Sequence, residues 1–123
     1  MKNLMFQVFD TSHARIKAKS RWTQGFLARD GAGHRCAPDS CAAACWCSIG
    51  TLKRAEYGMW HVGNGADFAE ARRAILQAFD DELKSRRWRK GLANYNDSRS
   101  HRSVMSVWAG ARARLVAKYG EPE

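Results

Sequence analysis

Pro38-Asp39-Ser40-Cys41-Ala42-Ala43-Ala44-Cys45-Trp46-Cys47-Ser48-Ile49-Gly50-Thr51-Leu52-Lys53-Arg54 is the stretch on which the fold turns. Proline is tolerated in a first helical turn, and Asp39 or Ser40 is available as a cap. The residues from Cys41 to Arg54 then read as one helix that stops near Gly58. Its first half, Cys41 to Cys47, is small or apolar on every side, which is the mark of a buried central helix. Read in this way, the chain belongs to the all-α class.

The flanking segments extend that reading. Downstream, Gly63-Asn64-Gly65 breaks the chain, and Phe68, Ala71, Ile75, Phe79 and Leu83 then recur at helical spacing. This helix is expected to run through residues 85–90 and to end at Gly91, a residue type that terminates helices. Residues 92–97 are expected to form a loop, with Asn96 and Asp97 or Ser98 capping a last helix. That helix carries the apolar stripe Val104, Val107, Trp108, Ala111 and Leu115 and stops at Gly120 and Pro122. Upstream, Asp30-Gly31-Ala32-Gly33 is turn chemistry, preceded by a short helical turn or extended piece. In the first twenty residues Leu4, Val8, Phe9 and Ile16 share a helical face, with a short strand over Leu4–Phe9 as the competing reading. The expectation is a compact single domain over residues 1–123, with three to four helices and a loop-rich N-terminal third. Residues 1–20 form its basic N-terminal segment and residues 21–118 its core.

Composition bounds what such a domain does. With 123 residues, 45% of them hydrophobic and including five Trp and five Phe, the chain has material for one core. No apolar run approaches the roughly 18 residues of a membrane span. The opening apolar stretch is broken by Gln7 and ends at Asp10 without a cleavage-type small-residue site, so a cytoplasmic protein is expected. The net charge of +9 points to polyanionic partners and excludes an acidic mimic of DNA.

Three blocks carry a family resemblance. Trp22-Thr23-Gln24-Gly25 is followed by Ala28-Arg29-Asp30 and Gly33. Trp46-Cys47-Ser48-Ile49-Gly50-Thr51-Leu52 is followed by Arg54-Ala55. Asn96-Asp97 is followed by His101 and Val104. In this order and spacing, residues 21–118 resemble a family of small bacterial and phage proteins of unknown function with W-T-Q-G, W-C-x-x-G-A-L and N-D blocks. Thr51 stands where that pattern has Ala, and Cys41 and Cys45 lie outside it. The resemblance implies a compact helical domain and suggests a phage or mobile-element context. It implies no reaction.

The residues offer four chemistries. Lys84-Ser85-Arg86-Arg87-Trp88-Arg89-Lys90 sets five cations around one indole, which suits phosphate neutralisation with base stacking. The same composition also complements a helix C-terminus. Arg15, Lys17, Lys19 and Arg21 form a second basic patch, and Arg112, Arg114 and Lys118 a third. His34, Cys36, Cys41 and Cys45 are zinc-ligand types, with Cys41 and Cys45 on one face of the expected helix. A disulfide such as Cys36–Cys41 or plain packing competes with metal, and packing with no cofactor is the expectation. Finally, Trp22, Gln24, Asp30, Cys47, Asn96, Asp97 and His101 could line a pocket, with Asp97 orienting the His101 imidazole at i,i+4. Helix capping by Asn96 or Asp97 is the competing account.

The balance favours a small basic binding module over an enzyme. Its expected partner is nucleic acid or a nucleoprotein, engaged by Lys84, Arg86, Arg87, Trp88, Arg89 and Lys90 and by the basic N-terminal segment. The concrete form is a phage or mobile-element accessory protein that inhibits a host defence complex such as a CRISPR effector. The alternative from another class is a small enzyme or ligand-binding domain built on the Trp22–Asp30, Cys47 and Asn96–His101 set.

Overall fold

The computed structural model describes residues 1–123. Helix α1 (Lys2–Ile16) leads through a 3-10 turn (Lys19–Arg21) into three short strands, β1 (Ala28–Asp30), β2 (Arg35–Cys36) and β3 (Ala43–Trp46). Four helices follow: α2 (Ser48–Met59), α3 (Gly65–Ser85), α4 (Gly91–Ser98) and α5 (His101–Tyr119). The strands form one antiparallel sheet in the order β2-β1-β3, with Ala28 opposite both Cys36 and Trp46. The fold is therefore α+β, with five α-helices, and not an all-α bundle of three to four.

The correction lies in the segment on which the class depended. Residues 41–47 are not helical; β3 occupies Ala43–Trp46, and the helix starts only at Ser48. Alanine favours helix locally by no more than a fraction of a kcal/mol per residue, so tertiary pairing overrides it. Here the pairing is with β1, and it is anchored by Trp46, whose indole is buried and donates to the Pro38 carbonyl at 2.9 Å. The Cys47 thiol then caps α2 by accepting from Gly50 N at 3.3 Å.

Two further boundaries differ. Helix α3 ends at Ser85, inside the basic cluster, so the expected helix through residues 85–90 is not formed. Residues expected to loop form α4 instead, and α5 is capped by Ser100, whose hydroxyl accepts from Ser103 N at 3.2 Å. The first segment is helical, as its 3.6-residue periodicity suggests: Met5, Val8, Phe9, Ser12 and Ile16 are buried along one side.

The core lies where α1, α3 and α5 meet. Phe9, Phe79 and Trp108 form its centre, with ring centroids 4.7–5.7 Å apart. Helix α2 crosses α1 through a buried polar pair. Thr51 Oγ1 donates to the Ser12 carbonyl at 2.8 Å, and Ser12 Oγ donates to the Val8 and Thr51 carbonyls. No helix is long and apolar enough to cross a membrane.

Candidate functional site

The three motif blocks converge on one side chain. Asn96, on the last full turn of α4, is fully buried. Its Oδ1 accepts from Trp22 Nε1 at 2.8 Å, from Ser48 N at 3.0 Å and from Ser48 Oγ at 2.8 Å. Its Nδ2 donates to the Thr23 carbonyl at 3.0 Å and to Asp97 Oδ1 at 3.2 Å. Ser48 Oγ in turn accepts from Trp108 Nε1 at 3.0 Å, which ties the network to the core. A buried amide leaves a large penalty if any of these groups is unpaired, and none is.

Neighbouring residues finish the joint. Gly25 N donates to Asp97 Oδ1 at 2.8 Å, from a backbone at φ 85° that favours glycine. Gln24 Nε2 donates to the carbonyls of Asn96 and Arg99. Gly50 permits the closest approach: a Cβ there would lie 1.8 Å from the Leu27 carbonyl oxygen. That same oxygen accepts from Cys47 N at 3.2 Å, so the chain entering β1 is pressed onto the first turn of α2.

Trp22, Gln24, Asn96, Asp97 and Cys47 are thus brought together. Asp30 is not; its Oδ1 accepts from Ala32 N and His34 N and closes the β1–β2 turn. His101 packs its ring against Trp22 at 5.4 Å, but its Nε2 donates to the Ile16 carbonyl at the end of α1. The carboxylate of Asp97 is bonded to Gly25 and Asn96, and not to His101. Beside the joint lies a shallow hollow of about 330 Å³ lined by Gly25, Phe26, Leu27, Cys47, Ala93 and Asp97. Burial pushes the Cys47 thiol pKa up against the lowering by backbone donors at the helix start, and the nearby Asp97 adds to the rise. The geometry makes it the cap of α2.

The four cysteines are free. Because residues 41–47 are not helical, Cys41 sits in an exposed turn while Cys45 lies on β3, and the i,i+4 pair expected of them does not exist. His34, Cys36, Cys41 and Cys45 do not converge; no group of three or more His, Cys, Asp or Glu side chains is placed to hold a metal ion.

The basic patches differ in how much of their charge is spent. Arg112 makes a two-pronged pair with Asp10 at 2.8 and 3.1 Å, and Arg114 pairs with Glu82 at 3.0 Å, so the third patch is largely neutralised. Within residues 84–90, Lys84 pairs with Asp80 and Arg86 with Glu82 and Ser106. Arg87, Arg89 and Lys90 are exposed and unpaired. Trp88 is half-buried, packed edge-on against Tyr95 with the Arg99 guanidinium 5.0 Å above its ring. Its Nε1 is buried without a partner.

The N-terminal patch is organised around Trp46. Arg15 and Arg21 place their guanidinium carbons 5.5 and 5.4 Å from the centroid of that indole. Arg15 also donates to the carbonyl and hydroxyl of Thr51. Burial, and then the positive charges of Arg54 and Arg21, push the Arg15 pKa down from its usual value. Arg15, Arg21 and Arg54 take part in none of the ion pairs of the protein. The sequence named Arg54 only as part of a family block, not as a binding cation, and did not single out Arg99. The packing of α2 on α1 brings Arg54 to Arg15 and Arg21, and Arg99 at the end of α4 comes to lie over the rings of Trp88 and Tyr95.

Fold and site together define a small α+β domain whose three sequence blocks form an internal clamp, with unspent positive charge on its surface. The chain belongs to a family of unknown function, DUF6197, which matches residues 5–114 and so takes in most of α1 as well as the three motif blocks. No curated protein and no solved structure matches it.

Proposed function

We propose that the protein is a binding module for a polyanion, a nucleic acid or a nucleoprotein. The observation that carries this reading is the distribution of its charge. Only six of the 21 Lys and Arg side chains pair with a carboxylate. No acidic residue occurs between Asp10 and Asp30, where Arg15, Lys17, Lys19 and Arg21 lie, or between Glu82 and Asp97, where the second cluster lies. Cationic surface left unpaired in this way neutralises phosphates and releases their counterions. The clamp around Asn96 supports a binding role over catalysis, since its polar groups are consumed in joining chain segments.

The narrower form of the proposal is a phage or mobile-element accessory protein that occupies a host nucleoprotein, such as a CRISPR effector. It rests on the charge and on the bacterial and phage setting of the family that the motif blocks resemble.

Capture from host lysate by tagged protein, with and without nuclease, tests both forms. One stoichiometric complex that survives nuclease supports the narrower form; nuclease-sensitive capture supports direct nucleic-acid binding. Retention that does not weaken between 50 and 200 mM salt, or no retention at all, overturns the polyanion reading.

A further inference from the structure

The Arg15–Arg21–Arg54 cluster does not end at Trp46. The Trp46 indole donates to Pro38, and Pro38 forms one wall of a hollow of about 410 Å³ whose other walls include Lys53, Tyr57, Trp60 and Phe68. Tyr57 and Trp60 are 60% and 70% exposed, the two most exposed large aromatic side chains of the protein. Arg54 and Tyr57 stand one helical turn apart on α2, a spacing that makes their side chains neighbours. The Arg54 guanidinium runs along the helix surface, with Nη1 3.3 Å from where a Cβ on Gly58 would lie. Three guanidinium groups from three separate elements, without carboxylate partners, thus lead through Arg54 to Tyr57, which shares the hollow with Trp60.

Like charges gathered in this way repel one another, and Arg15 is held in place by Thr51 and Trp46 despite that cost. Planar guanidinium forks fit phosphate oxygens. Exposed rings stack on bases, and only unpaired bases offer their faces. A duplex satisfies the arginines and leaves Tyr57 and Trp60 idle. An anionic membrane calls for a broad apolar face, whereas this hollow is rimmed by Asp39, Glu56 and Arg72, the last two paired at 2.6 Å.

We infer that the face formed by Arg15, Arg21, Arg54, Tyr57 and Trp60 binds single-stranded nucleic acid, with the arginines on consecutive phosphates and the two aromatics stacked on bases. The inference rests on the polyanion reading and narrows it to one class of ligand. Asp39 is the one unpaired carboxylate in the hollow and opposes the strand.

The test is fluorescence anisotropy of the full chain with a labelled single-stranded oligonucleotide, the same sequence as a duplex, and anionic phosphatidylserine vesicles. The single strand is expected to bind at least tenfold more tightly than the duplex. Tyr57→Ala and Trp60→Ala, at exposed positions that carry no core packing, are each expected to weaken single-strand binding by about tenfold and leave duplex binding unchanged. Arg21→Gln and Arg54→Gln are expected to weaken both nucleic acids and to reduce the single-strand salt slope by about 0.7 each. Asp39→Asn is expected to tighten single-strand binding. Equal affinity for single strand and duplex, insensitive to the aromatic substitutions, overturns the inference and leaves the polyanion reading standing. Binding to vesicles alone overturns the inference in favour of a membrane surface, and binding to none of the three overturns both the inference and direct nucleic-acid binding, leaving only the nucleoprotein form of the polyanion reading to the lysate capture.

Discussion

Replacing Asn96 by alanine strips partners from groups on two distant chain segments at once. Trp22 Nε1 and Ser48 N lose their acceptor, and the Thr23 carbonyl loses its donor. Each buried group left unpaired costs about 1–3 kcal/mol, so Asn96→Ala is expected to be among the most damaging substitutions at a polar position. Urea unfolding followed by tryptophan fluorescence measures it. Asn96→Asp is also expected to destabilise, because a carboxylate oxygen would then face the Thr23 carbonyl and Asp97. Gly50 is bound by a different constraint. A methyl group at 1.8 Å from the Leu27 carbonyl forces the β1 entry away from α2, and Gly50→Ala is expected to cost about 1–3 kcal/mol or more. A thermal midpoint unchanged by Gly50→Ala would show that the two segments are not in this contact. These residues were singled out from the motif blocks, but the sequence assigned Asn96 and Asp97 to a helix cap or to a pocket. Their partners lie about seventy positions away, at Trp22 and Gly25, and no local pattern reports a contact across that separation.

The helices were legible where one face alone is apolar. The stripes on α3 and α5 match the 3.6-residue period, and both helices stand where that period places them. Legibility failed where a local preference competes with pairing. Ala42-Ala43-Ala44 favours helix, and the strand it joins is fixed by Trp46 and by β1, thirteen or more positions upstream. The end of α3 failed for another reason. Arg87 takes φ 62°, Trp88 N donates to the Leu83 carbonyl and Arg87 N to the Lys84 carbonyl, which together make a Schellman C-cap. Glycine is the usual residue at that left-handed position, and Gly91, four residues later, starts α4 instead. Arg87→Gly is therefore expected to stabilise the protein by about 0.5–1 kcal/mol through relief of the left-handed strain. Chemical denaturation measures that gain. If residues 84–90 contribute to polyanion binding, the same variant loses affinity, and the two opposite changes separate the stability of the cap from the use of the charge.

At the scale of the whole molecule, acid acts on the core and on the surface in the same direction. His13 stacks on Trp108 at 5.4 Å, and burial, with Lys17 next, lowers its pKa from the ordinary 6.5. A base whose folded pKa lies below its unfolded value takes up its proton first in the unfolded chain. The stability it confers is complete above about pH 6.5 and declines as pH falls from there towards the folded pKa. Glu82 adds a second step. Burial raises its pKa, but hydrogen bonds from Arg86 and Arg114 outweigh that effect and bring it below the ordinary 4.5. The Glu82 contribution is present above about pH 4.5 and is lost as pH falls through the folded pKa. Acid also increases the positive charge of a chain that already carries +9, which strengthens repulsion among its unpaired cations. The thermal midpoint is therefore expected to fall in two stages between pH 7.5 and pH 3.5. His13→Phe, which keeps a ring against Trp108 and removes the titrating group, is expected to flatten the upper stage and leave the lower one in place. A upper stage that persists in His13→Phe would assign that loss to other groups, and added salt that abolishes both stages would assign it to surface repulsion rather than to the buried ring and the Glu82 pairs.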